Sequence, residues 1–176
     1  MFHRLFFALW PADALRNSIS ETAARLEREL VPGGRRLDAA RHHLTLQFLG
    51  DFDPFPQTLV AGACAAAAEV RLPPFELVLD CAGSFRGSNV WWLGTHASPA
   101  GLQALWSSLG DALDRHGVPT RPSAAFSPHV TIQRNVRRHI AVTPIEPLPW
   151  PVHDFVLMDS QSGQPYRIIA RWQLQD

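Results

Sequence analysis

The chain has 176 residues, of which 46% are hydrophobic and 18% charged, and its 16 basic residues balance 16 acidic ones. This composition excludes an intrinsically disordered chain and leaves enough apolar material for a sizeable core. A net charge of zero argues against a broad electrostatic grip on long duplex nucleic acid, whereas a local cluster of charge can still bind a small or terminal nucleic-acid ligand.

All 16 basic residues are arginines, and the chain has no lysine. A genome-wide coding bias is the simpler explanation of this imbalance. The absence nevertheless excludes a Walker-type phosphate loop, a lysine Schiff base and a lysyl-adenylate intermediate. Arginine, by contrast, is well suited to bidentate contact with phosphate and to stacking on bases.

Hydrophobic periodicity and the positions of proline and glycine predict alternating strands and helices. In chain order, these are a strand at 5–10, a helix after Pro11, a strand at 43–49, a helix at 58–70, a hairpin formed by 75–85 and 89–96, a helix at 99–116, a loop up to Ser127, a strand at 129–134 and a closing hairpin around Gly163. The proline-rich segment TPIEPLPWP at 143–151 predicts a further loop. Because several strands are joined as hairpins, we expect a mixed, largely antiparallel α+β fold.

The sequence predicts a cytoplasmic protein without metal or other cofactor. Cys64 and Cys81 have neither CxxC nor zinc-knuckle spacing, which favours a reducing compartment over a disulfide framework. The opening run LFFALWP is too short for a membrane span, and no small-residue cleavage site follows it. We therefore expect no membrane association.

The chemistry is predicted by one short pattern that occurs twice. His43-Leu44-Thr45-Leu46 and His129-Val130-Thr131-Ile132 lie about half a chain apart, and each reads His-x-Thr-x with apolar residues at the x positions. On a strand, residues two apart share a face, so each motif offers an imidazole beside a hydroxyl above an apolar underside. One copy alone would be a weak signal, but two copies, each on a predicted strand that follows a strand and a helix, suggest two related lobes facing one cleft.

Two imidazoles suit the opening of a cyclic phosphodiester. One group must take a proton from water while another protonates the leaving ribose oxygen, and histidine can do either because its ordinary pKa is about 6.5. The hydroxyls and an arginine can hold the non-bridging oxygens. This reaction requires no metal.

The segments HLTLQFLG and SPHVTIQR resemble the two signature motifs of the 2H phosphoesterases. The chain is most similar to their RNA 2',3'-cyclic phosphodiesterase branch, also called 2'-5' RNA ligases, and RLFFALWP and YRIIARWQL resemble the first and last strands of that branch. The resemblance implies a bilobal, pseudo-symmetric α+β fold in which two mostly antiparallel sheets line a central cleft with helices outside. Residues 1–176 would then form a single domain of two intertwined lobes.

The resemblance also implies an activity. RNA ends or small cyclic nucleotides would be hydrolysed to a 2'-phosphate, and in some members of the branch RNA ends are joined reversibly by a 2'-5' linkage without ATP. His43 would protonate the leaving 3'-oxygen and His129 would activate water, although the sequence alone leaves the reverse assignment open. Thr45 and Thr131 would bind substrate, and we expect a monomer.

Two further residues match the family pattern, Phe48 and Arg134. Simple alternation places both on the face opposite the histidines, so a phosphate contact by Arg134 would need a strand end, a bulge or the reach of its side chain. Alternatively, both residues flank the nucleobase. For Phe48, a place in the core is an equally good interpretation.

Other basic residues surround the motifs. Arginines 35, 36 and 41 precede the first motif and 137 and 138 follow the second, where they would either hold RNA beyond the terminal nucleotide or form a solvated surface. Two alternatives to the two-histidine phosphodiesterase remain. One is a non-catalytic module that binds nucleotides or RNA ends in the same cleft, and the other is a metallohydrolase. The latter lacks HExxH or comparable ligand spacing.

Overall fold

The structure is a computed structural model that describes residues 2–85, 87–120 and 125–176, so positions 121–124 of the predicted loop before Ser127 lie outside the described residues. The strands are β1 (His3–Leu9), β2 (Arg35–Arg36), β3 (Leu44–Phe52), β4 (Phe75–Ser84), β5 (Val90–Gly94), β6 (His129–Arg134), β7 (Thr143–Val152), β8 (Asp154–Ser160) and β9 (Arg167–Gln173). The helices are α1 (Asp13–Leu30), α2 (Gln57–Ala67) and α3 (Ala100–Arg115), with a 3-10 turn at Ala39–Arg41.

The two motif strands, β3 and β6, lie side by side at the centre of the sheet. The strand order is β7-β4-β5-β6-β3-β1-β8-β9, with the two-residue β2 added to β6, and the pairings between these strands are antiparallel. A single residue pair, Leu44 with Val130, joins β3 to β6. The two predicted sheets are therefore connected edge to edge into one strand order, and the predicted α+β class is confirmed.

The helices connect the two halves of the sheet. Helix α1 follows β1 in the chain yet packs against β6 and β7 of the other half, and α3 contacts both β3 and β4. In α1 the inward face consists of Ile19, Thr22, Ala23 and Leu26, which recur at helical spacing. The acidic Asp13 lies in the first turn, where the helix dipole favours negative charge.

The predicted loop at 143–151 is wrong, because this segment forms strand β7. Among the described strands it lies at the edge of the sheet and pairs only with β4, so prolines do not interrupt a hydrogen-bond ladder on the outer side. Pro149 and Pro151 are exposed, whereas Trp150 and Val152 between and beyond them are buried. This alternation is the signal of a strand that the proline content obscured.

The remaining predicted elements are present, with ends that differ by a few residues. His43 directly precedes β3, which continues beyond Gly50 to Phe52. Within the described part of the chain, none of the helices is long and apolar enough to cross a membrane.

Candidate functional site

The adjacent motif strands place all four motif side chains on the same face of the sheet. Leu44 and Val130 are directly paired and almost completely buried in the main core. The flanking histidines and threonines project to the opposite face because side chains alternate along a strand. There they are half-buried: His43, Thr45, His129 and Thr131.

Both imidazoles are held in the same way. Nδ1 of His43 lies 2.8 Å from the carbonyl oxygen of Arg41, and Nδ1 of His129 lies 2.8 Å from that of Ser127. Because a carbonyl oxygen only accepts, each Nδ1 carries the proton, which leaves Nε2 of the neutral ring as the acceptor. No described residue hydrogen-bonds Nε2 of either ring, so both nitrogens remain available to a substrate.

Burial favours the neutral form of both histidines. Desolvation is the main cause that lowers the pKa of His43 to about 4, and positive charge on His129, Arg134 and His42 lowers it further against the hydrogen bond to Arg41. Desolvation also lowers the pKa of His129. The direct pairing of Leu44 with Val130 brings the two motifs close enough for positive charge on His129 and Arg134 to act on His43.

Aromatic rings surround the two histidines unequally. The His43 ring packs against Phe6, Tyr166 and Trp10 at centroid distances of 4.9, 5.4 and 6.5 Å. His129 has an edge contact with Phe85 at 4.9 Å. Phe6 and Tyr166 belong to a small apolar cluster separate from the main core. A sequence in which 10% of the residues are aromatic gave no signal that would have singled out Phe6.

The prediction from simple alternation, which placed Phe48 and Arg134 opposite the histidines, is wrong. Each motif strand contains a register shift after its threonine. Two consecutive residues of β1 pair with Gln47 and Thr45, so one residue of β3 is skipped. Two consecutive residues of β5 likewise pair with Gln133 and Thr131. The extra residue of a bulge reverses the alternation that follows it. Phe48 and Arg134 consequently lie on the same side as the motif histidines.

A buried glutamine follows each of these shifts and ties its strand to a helix or turn. Nε2 of Gln47 donates to the carbonyl oxygen of Trp106 in α3 at 3.0 Å, in space left open by Gly110, where a Cβ would lie 2.9 Å from that nitrogen. Nε2 of Gln133 donates to the carbonyl oxygen of Gly33 at 2.8 Å. Sequence analysis missed both glutamines, although they occupy the same position in HLTLQF and HVTIQR.

A cavity of about 750 Å³ opens beside the first motif. Four of the six predicted site residues line it: His43, Thr45, Phe48 and Arg134. His129 and Thr131 do not line this cavity and lie on the adjoining strand. Tyr166 also lines the cavity, and a volume of this size can hold a nucleotide-sized ligand.

The predicted basic rim is only partly at the cavity. Arg35 and Arg41 line it and also line an adjoining hollow of about 290 Å³, together with Arg36. Arg137 and Arg138 line neither space. The sequence could not separate these two groups, because the distinction depends on the pairing of β2 with β6.

A separate polar cluster lies at β4 and β5. The possible ligand atoms of Asp80, Cys81 and His96 lie within 4.8 Å of one another. Asp80 already accepts hydrogen bonds from the backbone nitrogen and Nδ1 of His96, and burial raises the pKa of the Cys81 thiol to about 11. Hydrogen bonding therefore accounts for this cluster.

Comparison with known proteins identifies relatives over most of the chain. A family model described as the 2'-5' RNA ligase superfamily matches residues 11–164. An RNA 2',3'-cyclic phosphodiesterase of Escherichia coli (strain K12) is 33% identical over 142 residues, which cover 80% of this chain and 77% of that protein. A protein of the same name from Aquifex aeolicus (strain VF5) is 29% identical over 122 residues, covering 66% and 64% of the two chains.

Solved structures agree with these matches. E. coli LigT complexed with 3'-AMP has a TM-score of 0.82 and 29% sequence identity, with 100% of both chains covered. The resemblance indicated by the two motifs, and the fold that it implied, are confirmed.

Proposed function

This chain belongs to the 2'-5' RNA ligase superfamily, and on that premise we propose that it hydrolyses RNA 2',3'-cyclic phosphate ends to 2'-phosphates with a two-histidine acid–base pair. The observation that carries the proposal is the matched pair of imidazoles on adjacent motifs, each with Nδ1 bound to a carbonyl oxygen and with no described residue bonded to Nε2. The names of the E. coli and A. aeolicus relatives support the same activity.

In the proposed reaction the cyclic phosphate lies between the two Nε2 atoms. One imidazole takes a proton from water as the water oxygen bonds to phosphorus. The bond from phosphorus to the 3'-oxygen breaks, and the other imidazole protonates that oxygen. The hydroxyls of Thr45 and Thr131 bind the non-bridging oxygens, which stabilises the charge that develops on them.

The lowered pKa values determine how the pair acquires its proton. Both free imidazoles favour the neutral form, so the general base is ready but the general acid must be protonated. An anionic phosphate between the rings raises the pKa of both, because opposite charge favours the protonated form. Substrate binding thus supplies the acid. By resemblance to the family, His43 is that acid and His129 is the base.

Phe48 and Arg134 bind the terminal nucleotide in this proposal. Both line the cavity beside His43, which places an aromatic face and a guanidinium within one ligand-sized space. Stacking between such groups tolerates any base. Because each half of the chain supplies one histidine, residues 1–176 would act as one domain, and the site would be complete in a monomer.

The same bond changes allow 2'-5' ligation. A ribose 5'-hydroxyl in place of water would attack phosphorus, and departure of the 3'-oxygen would leave a 2'-5' phosphodiester. The cyclic ester supplies the leaving group, so this reaction needs neither ATP nor a lysine.

The decisive experiment removes each imidazole separately. His43→Ala and His129→Ala should each lower kcat for 2',3'-cyclic AMP by about 10² to 10⁴, because each removes one proton-transfer group. Circular dichroism should show an unchanged fold, and the wild-type product should be the 2'-phosphate. Tight nucleotide binding without turnover in the wild type would instead support the non-catalytic module.

A sulfur-substituted substrate assigns the two roles. When sulfur replaces the bridging 3'-oxygen, the leaving thiolate needs no protonation. His43→Ala should then recover most of its activity, whereas His129→Ala should remain impaired. Recovery in His129→Ala alone would reverse the assignment.

A further inference from the structure

We infer that the hollow beside the active site, lined by Arg35, Arg36 and Arg41, binds the phosphodiester on the 5' side of the terminal nucleotide. This inference rests on the proposed function and names the residues that would bind the RNA chain beyond its terminal nucleotide. A cyclic phosphate is at the 3' end of its chain, so any further phosphate of the RNA lies on its 5' side.

The first argument is the concentration of charge. The whole chain has no net charge, yet four arginines line the main cavity together with a single acidic residue, Asp51. Asp51 already binds one of these arginines, Arg4, through two hydrogen bonds of 2.8 and 3.1 Å. The remaining positive charge exceeds the single negative charge of a terminal cyclic phosphodiester. A second phosphate would balance it.

The second argument is an unfavourable strand pairing. Arg35 in β2 is directly opposite Arg134 in β6, and both side chains are exposed to the same cavity. Like charges at directly opposed positions destabilise a sheet, and no acidic side chain among the described residues pairs with either arginine. An anion between them would turn this repulsion into attraction.

The third argument is the construction of β2 itself. Gly34 has φ +83°, and a Cβ at this position would overlap the carbonyl oxygens of Arg134 and Asn135. Only glycine therefore allows the chain to lie this close to β6. The close approach fixes Arg35 at the edge that is shared by the cavity and the hollow.

The hollow continues the positive surface away from the histidines. Of its three arginines, Arg36 binds Glu27, and Arg41 packs on Tyr166 at 4.9 Å and donates to the carbonyl oxygen of Gln164. The one acidic residue of the hollow, Asp38, accepts a hydrogen bond from the backbone nitrogen of Ala40 at the start of the 3-10 turn. Arg35 is the arginine of this group that is left for a ligand.

The test compares cyclic AMP with a dinucleotide that ends in a 2',3'-cyclic phosphate. In Arg35→Gln, the ratio of kcat/KM for the dinucleotide to kcat/KM for the mononucleotide should fall about tenfold, because one charge-assisted contact is lost. The matched control is Arg28→Gln, which removes an exposed arginine of α1 that lines neither space. Its ratio should equal that of the wild type.

A neutral linkage identifies the phosphate that is bound. A dinucleotide with a methylphosphonate in place of the internal phosphodiester should lose the same tenfold in the wild type and lose little more in Arg35→Gln, because both changes remove one interaction. For longer oligonucleotides, the salt dependence of log kcat/KM should become shallower by about 0.7 in the variant.

The outcomes distinguish failure of the Arg35 assignment from failure of the proposed hydrolase activity. If Arg35→Gln left the ratio of the two kcat/KM values unchanged, the assignment of Arg35 would be overturned while the proposed hydrolase activity would stand. If the wild type cleaved neither substrate, the proposed function would fail. Binding of a fluorescent dinucleotide 2'-phosphate would still test the hollow, because Arg35→Gln should weaken it about tenfold relative to a mononucleotide.

Discussion

The two motif strands have the same local construction but different surroundings. In both, the histidine Nδ1 contacts the carbonyl oxygen two residues earlier at 2.8 Å. In both, a register shift follows the threonine and a buried glutamine secures the strand. These shared features fix the orientation of each ring. They also turn Phe48 and Arg134, each the sixth residue counted from its motif histidine, toward the active-site face.

The differences lie in what surrounds each ring. His43 lies among Phe6, Trp10 and Tyr166, whereas the ring contact of His129 is with Phe85. The sixth residue counted from the motif histidine is Phe48 in the first half and Arg134 in the second. At this position the first half therefore supplies an aromatic ring and the second half a cation. The features that both motif strands share hold the two imidazoles in equivalent positions. The side chains that differ between the halves give the two imidazoles different surroundings.

The stability of the protein should show the largest measurable difference between the two halves. Because the pKa of His43 is about 4 in the folded state and near 6.5 when unfolded, the unfolded state binds more protons between these pH values. The free energy of unfolding therefore rises with pH across this window and decreases as the solution is acidified. His43 should contribute about 2 kcal/mol to the difference between pH 7 and pH 5.

Urea denaturation at these two pH values tests this contribution. His43→Gln stays neutral and should remove it, whereas His129→Gln should remove less, because burial lowers the pKa of His129 without the nearby positive charges that also lower the pKa of His43. An identical pH dependence in the wild type and His43→Gln would contradict the view that aromatic packing desolvates His43.

Substitution of Gln47 and Gln133 tests whether the two glutamines have the same role in the two motif strands. Gln47→Leu and Gln133→Leu should each lower the free energy of unfolding by about 1 kcal/mol, the usual value of one hydrogen bond. If the glutamines hold the register shifts, each variant should also raise KM, because Phe48 or Arg134 turns away from the cavity. A loss of stability without any rise in KM would assign the glutamines to folding alone.

The smallest expected effect concerns the pH optimum. Since burial lowers the pKa of both histidines, kcat/KM should be maximal below pH 6.5. Arg134→Gln removes a positive charge that lowers the pKa of His43, so the optimum should move upward by less than about one pH unit. Phe48→Leu, at the equivalent position of the first half, changes no charge and should leave the optimum in place.

Much of the fold follows from local sequence patterns, while the site depends partly on register. The helices and hairpins were predictable because apolar spacing and glycine positions are local signals. Strand β7 was missed because its tolerance for proline comes from its edge position. The motif histidines were identified from a repeated tetrapeptide whose chemistry does not depend on tertiary detail.

The surroundings of the histidines were harder to predict. Strict alternation misplaced Phe48 and Arg134, because a bulge is defined by the neighbouring strand and leaves no distinct mark in its own sequence. Phe6 reaches His43 from β1, and Tyr166 reaches it from the position directly before β9. Arg35 became distinct from Arg137 only through the short pairing of β2. All of these depend on long-range pairing.

The single pair between Leu44 and Val130 has a mechanical consequence. It is the narrowest junction of the sheet, and each member is adjacent in sequence to a motif histidine. When two bodies turn about a joint, displacement grows with distance from the axis, so groups beside the axis move least. Helices α1 and α3 bridge the halves and limit such bending, and whatever bending they allow would change the outer groove more than the spacing of the imidazoles. Under the proposed function, the two imidazoles would therefore keep their spacing when RNA ends of different bulk bind.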